Sequence, residues 1–375
     1  MMTGVLATRA PDPEPTGLDD VLERIAAGAG DRDGAPGEGR FPQDAFVALR
    51  DARALRFNAV SGRLRPAAAR ELGLVRRVAA ADGSVGRIFD GHLNAVERIA
   101  VQATAELRDP ELRRVSAGEL WAGVWGGDPV PGEGPPATIV TAKGADVLRG
   151  VKTFCSGAGG LHRALVLAGD DADPSGGPSS VWIDLADSDR VEIDTSWYRS
   201  RGLVASVSHR VVFDRARVLA RFGPPGALSE QPWFGRDALR TAASWAGMAD
   251  CALDAALDEL ATRPDPGPVA ELAAGRMLTF HGTIGAWLDT AARTMDGASP
   301  ELAKVALHAR AAIAAASREL LDEAARVCGS HPFATGGDLD RARRDLELFV
   351  LQHRLGPGLA AAGARALTEH REANR

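Results

Sequence analysis

Apolar residues recur along this chain at two different spacings. From Pro42 to about Glu111 they fall three and four apart among Ala, Leu, Arg and Glu, the rhythm of amphipathic helices. Between about Ser116 and Phe222 Gly and Pro become frequent, and short runs such as "ATIVTA", "ALVLAG", "SSVWIDL" and "SHRVVFD" read as strands broken by turns. After Pro232 the helical rhythm returns through "FGRDALRTAASWAGMADCALDAALDEL", then 268–295, 300–327, 338–354 and a last piece at 356–369. Those lengths suit long antiparallel helices. The pattern predicts a mainly α chain with a central β domain: an N-terminal helical domain over 41–115, a middle β-barrel over 116–222 and a C-terminal four-helix bundle over 230–375. Residues 1–40, rich in Gly, Pro and Asp, read as a flexible lead-in holding one amphipathic stretch, "LDDVLERIAAGA". Strands and helices do not alternate, which excludes a doubly wound sheet.

Composition changes this picture by exclusion. A hydrophobic share of 45% with 25% charged residues is that of a protein with a sizeable core. The net charge of -6 gives nucleic acid or an anionic membrane no reason to bind. Cys155, Cys251 and Cys328 are too few and too far apart for a disulfide framework, and no CxxC pair suggests a metal, so a reducing cytoplasm is expected. No charged start precedes an apolar run, and no apolar stretch nears the roughly eighteen residues of a spanning helix, so neither export nor a membrane is expected. P-loop, GxGxxG, HExxH and GxSxG signatures are missing as well.

Two histidines interrupt apolar stripes. In "RRDLELFVLQHRLGPG", Leu346, Phe349, Val350 and His353 stand at offsets 0, 3, 4 and 7, which puts the imidazole on the buried face if the helix continues. His92 follows Val85, Ile88 and Phe89 and precedes Val96 and Ile99. Burying such a ring requires a hydrogen-bonding partner or a cavity that uses it. His281 and His331 lack a comparable setting.

Four stretches, in order, resemble the acyl-CoA dehydrogenase superfamily over about residues 40–370. "AADGSVGRIFDGHLNAVERIA" is similar to its helix in which "D-S" precedes a histidine. "VLRGVKTFCSGAGGLHRALVLAG" resembles its central "G-x-K-x-(aromatic)-x-(Ser/Thr)" strand. "SRGLVASVSHRVVFDRARV" resembles a later strand pair, and "RARRDLELF" the "R-x-x-R-D" helix of the last domain. The resemblance implies a flavin, FAD or FMN, between barrel and bundle, and a homo-oligomer, tetramer or dimer. It places Phe154 on the isoalloxazine ring and Ser156 near flavin N5, with Cys155 between them; on an alternating strand Cys155 would face the core. Trp125 and Gly126 of "WAGVWGGDP" would border the flavin, although Trp121 and Trp125 fit equally as core aromatics. Arg263 of "RPDPG" and Gly329 of "RVCGSHPF" would serve the dinucleotide end across a neighbouring subunit. The phenylalanine and glutamine that usually accompany that arginine are absent, as is one glycine of the usual pair.

Counting nine from Arg344 lands on His353, where many members carry their catalytic glutamate; the second glutamate position of the family holds Leu239. A neutral histidine could remove an α-proton from an acyl-CoA. The missing carboxylates also suit the flavin monooxygenase branch, which includes dibenzothiophene monooxygenase. There His353, His92 and Ser156 would surround a flavin C4a-hydroperoxide, with a small organic substrate and a separate flavin reductase as partners. The alternatives are acyl-CoA dehydrogenase-like oxidation with His353 as base, and a degenerate non-redox or assembly protein.

Overall fold

A computed structural model describes residues 15–58, 67–142, 144–297, 299–352 and 354–375. The first helical segment comprises α1 (Leu18–Ala27), α2 (Ala29–Arg32), α3 (Gln43–Asp51), α4 (Ala68–Ala81), α5 (Gly83–Gln102) and α6 (Ala105–Ala117). Asp82 starts α5 by accepting the Val85 backbone N–H at 3.0 Å, the usual device for an unsatisfied first-turn donor. Nearly all of α5 from Gly83 to Ile99 is buried. The amphipathic stretch in the expected lead-in is α1, and it is part of the core through Leu18, Val21, Leu22 and Ile25. Arg32, just beyond it, pairs with Asp82 at 2.8 Å and Asp44 at 2.9 Å. Leu18–Ala27 and Ala29–Arg32 of the expected lead-in are thus helical and tied to the rest of the chain.

The middle segment holds β1 (Ala122–Trp125), β2 (Thr138–Ala142), β3 (Ala145–Cys155), β4 (Arg163–Asp170), β5 (Ser179–Asp184), β6 (Val191–Asp194) and β7 (His209–Arg221). Pairing runs β4, β2, β3, β7, β5 and returns to β4, closing the expected barrel. Closure leaves these strands no free edge. β1 adds in parallel to β4, and β6 lies antiparallel on β7.

The last segment is α7 (Trp233–Ala261), α8 (Gly267–Asp296), α9 (Leu302–Cys328), α10 (His331–Thr335), α11 (Asp338–Phe349) and α12 (Gly356–Ala373). α7 packs against α8, α9 and α11, and also against α4, so the bundle and the N-terminal helices share one core. Gly247 permits the α4 contact, because a Cβ there would lie 2.0 Å from the Arg76 carbonyl oxygen. α12 buries no residue. α11 stops at Phe349 rather than running on to 354; Leu351 is 68% exposed, so no burial rewards another helical turn.

The "R-x-x-R-D" stretch explains how α11 is anchored. Arg344 grips Asp33 with both terminal nitrogens, at 2.6 and 3.2 Å, and reaches Asp340 at 2.9 Å. Asp345 accepts the Leu203 N–H at 2.5 Å, tying the helix to the loop before β7. Chain start, barrel loop and bundle therefore meet on two adjacent residues.

Candidate functional site

A bulge at the end of β3 creates the site. Lys152 pairs with Val211 and Cys155 with His209, so Thr153 and Phe154 stand opposite one residue of β7. Phe154 takes up the extra step with φ 53°, left-handed backbone that costs a non-glycine residue about 1–2 kcal/mol. Its ring is turned outward and is 54% exposed, meeting the edge of Trp197 at a centroid distance of 5.0 Å.

In front of Phe154 lies a cavity of about 520 Å³. The barrel contributes Val124, Gly126, Gly127 and Ser156, and the loop before β7 contributes Tyr198, Leu203 and Ser208. Arg87 of α5 and Leu348 and Phe349 of α11 form the opposite wall, continued by Leu351, Gln352 and Arg354. The cavity therefore sits where all three segments of the chain converge.

Hydrogen bonds fix the barrel wall. Ser156 Oγ lies 2.8 Å from Ser208 Oγ, which is itself 2.8 Å from Ser206 Oγ, so a relay of three hydroxyls leads into the cavity. The Ser156 carbonyl accepts the Trp125 indole N–H at 3.0 Å. Lys152, itself buried, donates to the Gly126 carbonyl at 3.2 Å and pairs with Asp128 at 2.8 Å, clamping the loop that follows β1. Gly127 is required in that loop, since a Cβ would lie 2.5 Å from the Thr153 carbonyl oxygen. The sole tyrosine, Tyr198, donates from its hydroxyl to the Gly202 carbonyl at 3.1 Å, and burial raises its pKa.

The structure brings together Phe154, Ser156 and Gly126 from the expected set. Four other expected residues stand elsewhere. Trp125 is a core aromatic, 1% exposed, acting on the site through its bond to Ser156. Cys155 faces the core, as alternation along β3 predicts; burial pushes the thiol far up, and it lines no part of the cavity. Arg263 and Gly329 are neighbours, since Arg263 donates to the Val327 carbonyl at 2.9 Å beside the end of α9, but neither lines this cavity. His353 lies outside the described residues; Gln352 and Arg354 on either side of it line the cavity.

His92 also stands away from the cavity. Its Nδ1 accepts the Ala122 N–H at 3.2 Å, which leaves Nε2 protonated to donate to the Leu55 carbonyl at 2.7 Å. Both nitrogens are thus spent on backbone, the ring is fully buried, and it does not reach the cavity. Burial, the leading cause, lowers its pKa to about 4. The native ring refuses a proton that the unfolded chain accepts below its ordinary value, so His92 lowers stability as pH falls from about 6.5 to about 4. His92→Phe is expected to flatten that part of a stability profile and to cost about 1–3 kcal/mol at neutral pH, because two backbone groups lose their partner. Urea unfolding of both proteins between these pH values is the measurement.

Arg87, Tyr198 and Ser208 were missed from sequence. Arg87 stands three residues before Asp90 and looks like one half of a solvated helix pair. Ser206 and Ser208 alternate on one face of "SVSHR", which was the available signal for the relay.

No protein-family model matches the chain, and no curated protein matches it by sequence. Solved structures do. FMN-bound TdsC from Paenibacillus sp. A11-2, described in another of its structures as a dibenzothiophene monooxygenase, superposes with a TM-score of 0.78 at 18% identity, covering 93% of this chain and 96% of that one. Methanesulfinate monooxygenase MsuC from Pseudomonas fluorescens gives 0.78 at 21%, with 93% and 96% covered. Nitrososynthase from Micromonospora carbonacea var. africana gives 0.73 at 22%, with 91% and 93% covered.

The fold is acyl-CoA dehydrogenase-like.

Within this frame the polar side chains that line the cavity are Arg87, Ser156, Tyr198, Ser208, Gln352 and Arg354. Leu239, at the second of the two expected glutamate positions, is an apolar core residue of α7. No Asp or Glu lines the cavity among the described residues. No group of three or more His, Cys, Asp or Glu could hold a metal among the described residues, and no described helix is long and apolar enough to cross a membrane.

Proposed function

We propose that this chain is a flavin-dependent monooxygenase that binds FMN in the cavity before Phe154 and oxygenates a small organic substrate, with reduced flavin delivered by a separate reductase. The observation that carries the reading is the cavity's polar lining: a hydroxyl relay and guanidinium groups, with no carboxylate among the described residues to take an α-proton. The residues present fit a flavin. An outward aromatic face at Phe154 offers a surface for a flat ring, and the backbone at Gly126 is open, with nothing within 4 Å of where a Cβ would stand. TdsC has been crystallised with FMN, which supports FMN over FAD.

Reduced flavin would supply the activation of dioxygen. The chain's own residues bind, orient and exclude water. Val124, Phe154, Leu203 and Phe349 keep the cavity apolar, which strengthens each polar contact inside it. Ser156, held by its neighbour Ser208, presents a hydroxyl that can donate or accept at the barrel wall. His353, between two lining residues, is the group we assign to proton transfer. The three free cysteines are compatible with a reducing cytoplasm, and a homo-oligomer is the assembly we expect.

The test is a visible spectrum of the purified protein titrated with FMN, then oxygen consumption with chemically reduced FMN. FMN binding with oxygen-dependent product is expected, and His353→Ala is expected to lower product formed per oxygen consumed. Bleaching of bound oxidised flavin by an acyl-CoA without air would instead establish a dehydrogenase.

A further inference from the structure

The cavity's charge is one-sided. Among the described residues it is lined by two guanidinium groups and no carboxylate. Arg87 reaches it from α5 with its side chain 11% exposed, paired with Asp90 at 2.8 Å and lying 5.3 Å from the centre of the Phe349 ring. Asp90 is wholly buried behind it and also accepts the Ser244 hydroxyl at 3.0 Å. That pairing holds one edge of the guanidinium and leaves further N–H donors of the fork. Arg354 approaches from beyond the end of α11, exposed and without a hydrogen-bond or ion-pair partner among the described residues. Between the two cations the wall is apolar, made by Leu348, Phe349 and Leu351.

We propose that the substrate is a small organic anion, with an apolar body in the cavity and a carboxylate or sulfur oxyanion held by Arg87 and Arg354. This rests on the flavin monooxygenase reading and adds the substrate's class to it. A planar guanidinium matches a two-oxygen anion with two parallel N–H donors, and the apolar wall beside it raises the value of the match. A neutral substrate of the same shape would leave Arg354 unused and Arg87 with donors unpaired. The same chemistry would suit the phosphate of FMN, so the experiment separates the two sources.

The full-length protein loaded with FMN is titrated calorimetrically with indole-3-carboxylate and with the neutral, near-isosteric indole-3-carboxamide. The carboxylate is expected to bind about tenfold more tightly than the amide, with the difference shrinking in high salt and disappearing in Arg354→Ala. Arg87→Lys should reduce it as well; if that variant fails to fold because Asp90 loses its fork, Arg354→Ala decides alone. Equal affinity for the two probes, absence of binding by both at millimolar concentration, or a preference that survives Arg354→Ala overturns the proposal. A second arm compares FMN with riboflavin: if Arg354→Ala weakens FMN and spares riboflavin, the anion held is the flavin's phosphate and the substrate assignment falls. Failure of the flavin reading shows separately, as absence of FMN binding by the unmutated protein.

Discussion

Glu71→Ala is expected to lower stability by about 3–5 kcal/mol, the usual consequence of removing one member of a buried ion pair. Glu71 on α4 is 0% exposed and pairs with Arg236 at 2.8 Å and with Arg240 at 2.5 Å, both on α7. The same two arginines pair with Glu97 of α5, at 2.7 and 2.9 Å, and Arg240 also donates to Asn94 at 3.0 Å. Two carboxylates and two guanidiniums thus join three helices from two segments of the chain. Without Glu71, both guanidiniums are left to Glu97, because Asp237, a further partner of Arg240 at 3.2 Å, is already paired with the buried Arg98. An unmatched positive charge then stays where burial has removed water.

The partner experiment separates charge from packing. Glu71→Leu combined with Arg240→Met removes one charge of each sign and fills a similar volume, and is expected to recover most of the loss. Urea unfolding of both single variants and the pair gives the coupling directly. A double variant no more stable than Glu71→Ala would show that the network contributes more than neutralisation of its own charges. The cavity depends on this junction, because Arg87 and Phe349 reach it from α5 and α11, and both helices pack on α7.

Long periodic elements were legible in the sequence because repetition over many turns leaves one face to bury. The reading of 268–295 became Gly267–Asp296, and that of 300–327 became Leu302–Cys328. β1 and β6 were not legible: four residues each give alternation too little length to register, and β1 contains a glycine. The end of α11 was misplaced because the spacing of Leu346, Phe349 and Val350 continues on paper past the point where the core stops. At the site, Phe154 and Ser156 could be found because one stretch that resembles the superfamily carries both, Phe154 near the end of β3 and Ser156 just past it. Arg87, Tyr198 and Ser208 belong to elements that meet at the cavity only through the tertiary crossing. His92 shows the limit most clearly. Its position in an apolar stripe was read correctly, but its hydrogen-bond acceptor is the carbonyl of Leu55, in a short turn thirty-seven residues earlier that no periodicity announces. A stripe tells that a polar ring is buried, and only the fold tells what satisfies it.

Asp345→Asn is expected to reshape the dependence of stability on pH. The Asp345 carboxyl is buried at the junction of α11, α5 and the loop before β7, and a Cβ at Gly83 would stand 2.7 Å from its Oδ2. Burial, the main cause, pushes its pKa up to about 7; the Leu203 N–H opposes this, while Asp82 and Asp33 add to it. The native carboxyl therefore holds its proton at pH values where the unfolded one has released it. Its contribution to stability is complete below about pH 4 and is lost as pH rises towards 7, on the order of 1 kcal/mol per pH unit across that window. Asparagine keeps an oxygen to accept the Leu203 N–H but cannot ionise. The variant should match the parent in acid and gain on it steadily up to neutrality, when both are unfolded by urea at closely spaced pH values. A constant difference between the two proteins across pH 4–7 would mean that Asp345 is ionised throughout. Because Leu203 lines the cavity on the far side of this bond, FMN affinity measured over the same window reports whether the proton also sets the shape of the site.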